Sequence, residues 1–302
     1  MSTNRRALVL LAVAFAACGR TWPDPPPVDA TKYQADYQAW REERQENLLF
    51  AVRIVGIWPL EDGDNPFGSD GSLPIVLPAR VFPPRAGLFR RTGDKVEVVP
   101  APGVPLKRGD AVLTKPSEVD EVALGSVNMQ IFSMGEGPAE RRFVTASDDE
   151  NPVLEQLAPI QTFPVDARWR VAARFDAFQA PRSVRIADVR GGATEMIAPG
   201  ELVFRINDQE QRLMAIASPE SNEFFVMFKD PTNQSTTYGG YRMLHPPAVG
   251  DGQWTVLDFN VASNPPCAYS PFTTCPLPPP QNRLQVAIEA GEKRHPTVHG
   301  FQ

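Results

Sequence analysis

The polar residues whose spacing best suits chemistry lie near the C-terminus. Asp258 and Asn260 stand two apart where the apolar run Trp254–Phe259 ends, so an extended chain turns both side chains to one face. Val256 and Leu257 precede them, which puts that strand end at the margin of a core. Asn264-Pro265-Pro266-Cys267 then leaves as a stiff, extended turn, because proline restrains both itself and its predecessor. Buried Asp and Asn need partners. Thr237, Tyr238 and Arg242 supply them from upstream, with Arg242 expected to pair with Asp258, and Asn264, Tyr269 and Glu292 complete the set. Two uses stay open: a structural network whose polar groups meet at a single clasp, or a ligand pocket combining apolar walls with a few convergent polar groups. The catalytic version of the second use is a hydrolase-like site around Arg242, Asp258, Asn260 and Asn264.

Seven residues separate Cys267 from Cys275, a loop short enough to close as a disulfide stabilising the fold by roughly 2.5 kcal/mol. A zinc site would need two more ligands, and the histidines are His245, His295 and His299, the last two separated by Pro296, which breaks any helical face. A nucleophilic Cys267 activated by His245 is a third use. Glu289 and Glu292 with Asp258 offer a carboxylate pair for acid–base work. The sequence holds no glycine-rich phosphate loop, serine elbow, His-Glu-x-x-His or dinucleotide fingerprint, so no metal or cofactor is assigned.

The N-terminus bears on the cysteines. Arg5-Arg6 precede an uninterrupted apolar run from Ala7 to Ala17, too short to span a bilayer and suited to an export signal. Phe15-Ala16-Ala17-Cys18 resembles the bacterial lipobox. That resemblance implies removal of residues 1–17, lipidation of Cys18 and, with Gly19 following, a place on the periplasmic side of the outer membrane or at the cell surface. The mature chain would then hold Cys267 and Cys275 as its two thiols, in a compartment that favours disulfides. Removing Arg5 and Arg6 makes the formal charge of −6 more negative still, which argues against nucleic-acid binding.

The elements that must position these groups are read from proline and glycine. With 32 prolines and 21 glycines spread over 302 residues, long helices are interrupted almost everywhere. Residues 18–29 form a proline-rich spacer. A helical arm is expected over 30–49, capped by Asp29, with Tyr33, Tyr37, Trp40 and Leu48 on one stripe and Arg41 to Arg44 solvated. From residue 50 short apolar runs recur at spacings near ten, from Phe50–Trp58 to Leu284–Ile288, the pattern of a sandwich or barrel. The fold class is therefore all-β with one N-terminal helix: a β-sandwich over 50–140, a second β-barrel or β-sandwich over 141–293, and a frayed tail over 294–302.

Gly63-Asp64-Asn65-Pro66-Phe67-Gly68-Ser69 followed by Leu73-Pro74-Ile75-Val76-Leu77-Pro78 resembles the opening of a forkhead-associated domain. The resemblance implies a sandwich. Ser69 stands where that family's phosphate-binding arginine would be, so phosphopeptide binding is not carried over. Leu257-Asp258-Phe259-Asn260 through Thr274-Cys275-Pro276-Leu277-Pro278, Asn282-Arg283-Leu284 and Ala290-Gly291-Glu292-Lys293 are similar to the bacterial family named domain of unknown function 1684, from about Trp40 to Lys293. That likeness marks the stretch as a unit and implies no activity. The leading functional expectation is an envelope lipoprotein with a binding or scaffold role, attached to the membrane through lipid, with the hydrolase-like site as the alternative.

Overall fold

Asp29 begins the helix as expected: its carboxylate accepts the Lys32 N–H at 2.7 Å, satisfying an amide that the first turn leaves unpaired. In this computed structural model, which describes residues 22–134, 140–188, 192–218, 221–273 and 275–296, the helix α1 runs Ala30–Arg53. The export segment, Cys18 and residues 297–302 lie outside the described residues. The arm is four residues longer than the sequence suggested. Leu48, Ala51 and Val52 continue its buried stripe while Phe50 is 65% exposed, so this apolar run is a helix end followed by a strand. Asn151 closes that end, its side-chain amide donating to Val52 O at 2.8 Å.

Among the described residues eleven strands follow: β1 (Ile54–Pro59), β2 (Gly63–Gly68), β3 (Ile75–Val76), β4 (Gly87–Thr92), β5 (Lys95–Pro100), β6 (Lys107–Arg108), β7 (Ala111–Val112), β8 (Ser117–Glu118), β9 (Glu121–Leu124), β10 (Val127–Met134) and β11 (Arg141–Asp148). They make one sheet in the order β1-β11-β10-β9-β6-β7 and another in the order β3-β2-β4-β5-β8. Phe67, Phe89 and Val98 of the second share a core with Val122, Val127, Met129, Val144 and Ala146 of the first. Strand β11 pairs with both β1 and β10. The first domain therefore reaches Asp148, beyond the expected boundary at residue 140, and the buried Asp148 carboxylate pairs with Arg80.

The second domain is one antiparallel sheet of β12 (Arg170–Ala187), β13 (Ala193–Ile206), β14 (Gln209–Ala217), β15 (Phe224–Phe228), β16 (Arg242–Leu244) and β17 (Trp254–Asp258), ordered β16-β15-β14-β13-β12-β17. Asn207 and Asp208, both with positive φ (51° and 59°), close the β13–β14 hairpin; two left-handed residues match the twist of paired strands. Both faces of this sheet are covered at β14 and β15, which explains why Leu213, Met214, Ala215 and Ile216 and the whole of Phe224–Phe228 are continuous apolar runs and not alternating ones. Leu213, Ala215, Val226 and Phe228 face one core with Leu284, Ile288 and Ala290. Met214, Ile216 and Met227 face the other, with Leu48, Ala51 and Val52 of α1, Tyr238, Tyr241 and both cysteines.

Leu284–Ile288, expected as a strand, is instead an irregular strap across the first of these faces. Asn282 fixes its start. Its amide accepts from Met214 N at 2.7 Å and donates to Met214 O and Met227 O at 3.0 and 2.8 Å. It bridges β14 and β15, whose ladder pairs only Ile216 with Phe225 and Ala217 with Phe224.

Candidate functional site

Seven of the eight candidate side chains fall into three networks and not one clasp, and the eighth, Tyr238, lies over the cysteines. The first is centred on Arg242. Asp230-Pro231-Thr232-Asn233 forms a capping box at the exit of β15: Asp230 accepts from Thr232 N, and Asn233 Oδ1 accepts from Asp230 N at 2.7 Å. Asp230 Oδ1 is thereby held for the Arg242 guanidinium at 2.8 Å. The same guanidinium donates to Thr232 Oγ1, to Ile288 O and to Ala290 O, and lies 5.1 Å over the Phe228 ring. The Thr237 hydroxyl closes the network 2.9 Å from Thr232 Oγ1. Both members of the ion pair are fully buried. Burial pulls the Arg242 pKa down, and Asp230 acts in the opposite direction.

Arg242 does not pair with Asp258, and the sheet explains why. They sit on β16 and β17, the opposite edges of the sheet. They also sit on opposite faces: Leu244, two residues from Arg242, and Leu257, next to Asp258, enter the same core.

Asp258 belongs to a second network, shared with α1. One oxygen accepts from the backbone and side-chain N–H groups of Asn260, each at 3.0 Å. The other accepts the Tyr33 hydroxyl at 2.8 Å and lies 3.3 Å from Arg170 Nε. Burial and the Asp258 carboxylate both push the Tyr33 pKa up. Asn260 completes the turn by exchanging hydrogen bonds with the Asp166 backbone, both at 3.0 Å.

The third network surrounds Glu292, which has no solvent exposure. Its oxygens accept from Arg44 Nε, Asn264 N and the Tyr269 hydroxyl, each at 2.6 Å. Arg44 also donates to Asn264 O at 2.9 Å, and the Asn264 amide donates to Lys293 O at 2.9 Å. Burial lowers the Arg44 pKa, but Glu292 outweighs it and holds the guanidinium charged; burial and Glu292 together push the Tyr269 hydroxyl well up. Arg44, expected in solvent, is thus a largely buried anchor, its side chain 12% exposed. Gly291 allows the turn into this network. Its φ is +74°, and a Cβ there would lie 2.4 Å from Ala262 O.

Cys267 and Cys275 are both buried and are free thiols in this structure. They are neighbours: Cys267 N–H donates to Cys275 Sγ at 3.2 Å. The hydrogen bond from Cys267 pulls the Cys275 thiol down. Tyr238 covers the pair, its hydroxyl 3.4 Å from Cys267 O. His245 is stacked on Phe225 with 5.3 Å between centroids, and burial pulls its pKa down.

Clefts among the described residues open elsewhere. One of about 960 Å³ lies between Trp22–Val28 and Arg168, Arg170 and Arg205. One of about 480 Å³ is lined by Trp169, Arg205 and Glu289, and one of about 220 Å³ by Trp40, Arg44 and Ile160. None of the eight candidates lines them. Glu289 lines the second of these clefts, which neither Asp258 nor Glu292 lines. Among the described residues no three His, Cys, Asp or Glu side chains group as metal ligands, and no helix is long and apolar enough to cross a membrane.

Arg294 and His295, at the described start of the expected tail, are held by hydrogen bonds. Arg294 N–H donates to Thr236 O at 3.0 Å, and His295 Nε2 lies 2.8 Å from Ala158 O. Of the residues missed by sequence reasoning, Asp230 carried a local signal in its capping pattern. Arg44 and Tyr33 carried none, because their partners are more than 200 positions away.

A family model described as a protein of unknown function (DUF1684) matches residues 155–293, a shorter span than the expected start near Trp40. The solution structure of an uncharacterized protein from Haloarcula marismortui is similar at 31% identity, covering 46% of this chain and 78% of that chain, with a TM-score of 0.40. No curated protein matches.

Proposed function

We propose, from the premise that this chain belongs through residues 155–293 to the DUF1684 family, that it is a non-catalytic envelope lipoprotein whose second domain grips the helical arm and so holds the first domain in place for binding or scaffolding. One observation carries this reading. The side chains best suited to chemistry bond to one another, to backbone and to α1, with Glu292 and Arg242 closed to solvent. A hydrolytic site needs its acid, base or nucleophile within reach of a substrate. The clefts beside Trp22, Trp169 and Trp40 are lined by other residues.

The lipobox-like sequence supplies the anchor at Cys18, and the same exported location favours a Cys267–Cys275 disulfide. In that step the pair attacks an incoming disulfide, which leaves as a dithiol while the new S–S bond forms. The forkhead-associated likeness of the first domain enters as a sandwich without phosphopeptide binding, supported by its two packed sheets and by Ser69 at the arginine position.

Palmitate labelling tests the anchor. The wild-type protein takes up label and fractionates with membranes, whereas Cys18→Ser loses the label and becomes soluble. The purified wild type, denatured without reductant, leaves thiol reagents unreacted. Label that survives Cys18→Ser removes the lipoprotein reading. The non-catalytic claim predicts that Asp258→Asn lowers stability by about 1–3 kcal/mol through its Tyr33 and Arg170 contacts, read as a fall in the urea midpoint. A variant of unchanged midpoint that loses a hydrolytic activity of the wild type would overturn it.

A further inference from the structure

We propose that the surface around Trp22, Trp254 and Arg205 is the side of the molecule that faces the membrane, with the Trp254 indole lodged among lipid headgroups. The proposal rests on the lipid anchor at Cys18 and specifies how the anchored body is oriented. Three residues separate Cys18 from Trp22, four chain steps with a reach of at most about 14 Å when fully extended. The headgroup zone of one leaflet is itself several Å deep, so Trp22 cannot stand far from it.

Trp22 is not at the end of a free spacer. Its ring meets Trp254 edge-on, with centroids 5.2 Å apart. The guanidinium groups of Arg205 and Arg174 lie 5.3 and 6.0 Å from its centroid. Further along, Arg170 donates to Pro26 O at 3.3 Å. The proline-rich segment is therefore laid against β12 and β17, and any tether at Cys18 draws that face of the second domain toward the bilayer. Trp254 is 40% exposed there, and an indole with an apolar body and one N–H donor suits the membrane interface.

Charge identifies the kind of contact. Arg168, Arg170 and Arg174 lie at 3.1, 3.3 and 2.6 Å from the carboxylates of Asp166, Asp258 and Asp176. Asp24 and Asp208 line the same cleft as Arg205. The face is therefore nearly neutral, so its occupant is the headgroup layer itself and not specifically anionic lipid. The first domain joins the other end of α1, after 24 helical residues, about 36 Å of helix.

The test uses the full lipidated protein in phosphatidylcholine vesicles containing a brominated acyl chain. Wild-type tryptophan fluorescence should be quenched, and the quenched component should fall at least twofold in Trp254→Phe, and likewise in Trp254→Tyr should the first variant fold poorly. Trp58→Phe, altered in the first domain, should keep it, and high salt should leave it in place. Protein that floats with vesicles yet is quenched equally with and without Trp254, or is released from quenching by salt, overturns the orientation and leaves the anchor standing. Protein that carries no acyl chain and fails to float overturns the anchor and the orientation together.

Discussion

Asp230→Asn lowers the free energy of unfolding by about 3–5 kcal/mol, because it leaves the Arg242 guanidinium buried without its counter-charge. The usual remedy for a buried ion pair, replacement of both partners by apolar residues, fails at this position. Arg242 also donates to the carbonyls of Ile288 and Ala290, and Asp230 Oδ2 accepts from Ile288 N at 2.8 Å. A leucine pair would strand three backbone groups of the strap, each at a desolvation penalty of about 1–3 kcal/mol. The double variant Arg242→Leu/Asp230→Leu should therefore be at least as unstable as Asp230→Asn. Urea unfolding reads both. A double variant as stable as the wild type would show that the strap is held by Leu284 and Ile288 packing alone.

The difference between what local sequence shows and what it hides follows the range of the interactions. Phe224–Phe228 could be read as a strand because apolar side chains and flanking breakers are local facts, and the Asp29 cap was legible for the same reason. Phe50 misled because an apolar residue beside Ala51 and Val52 suits a strand start as well as a helix end. Only the packing of Leu48, Ala51 and Val52 against the second domain decides between them. The partner of Arg242 was illegible because it depends on sheet order. Residues 242 and 258 are close in sequence but on opposite edges, while Asp230 leaves the neighbouring strand. Arg44 sits in a run of charges, Arg41-Glu42-Glu43-Arg44, that normally stays in water. Its burial is imposed by a carboxylate 248 positions away. The polar residues of the Asp258 to Glu292 region thus take part in bonded networks, but in groupings that the spacing in sequence does not show.

Arg44→Met should cost about 3–5 kcal/mol as well, with a different signature. Glu292 would keep its bonds from Asn264 N and the Tyr269 hydroxyl but lose the cation that offsets burial of its charge. The helix would lose the contact that ties its middle to the C-terminal strap. Hydrogen exchange should accelerate across α1 while the first domain's central strands β10 and β11, which pair with each other and with β9 and β1, stay protected. Arg44→Lys should recover part of the stability, since an ammonium restores charge but cannot reach both Glu292 and Asn264 O with the planar fork of Arg. Arg44→Met combined with Glu292→Gln should recover part of the loss by removing the orphaned charge. Were exchange over α1 to stay slow in Arg44→Met, then Tyr33 on Asp258, Tyr37 on Thr162 and Gln45 on Ile160 N would suffice to hold the arm. The Arg44–Glu292 pair would then serve the turn around Gly291 and not the grip on the helix.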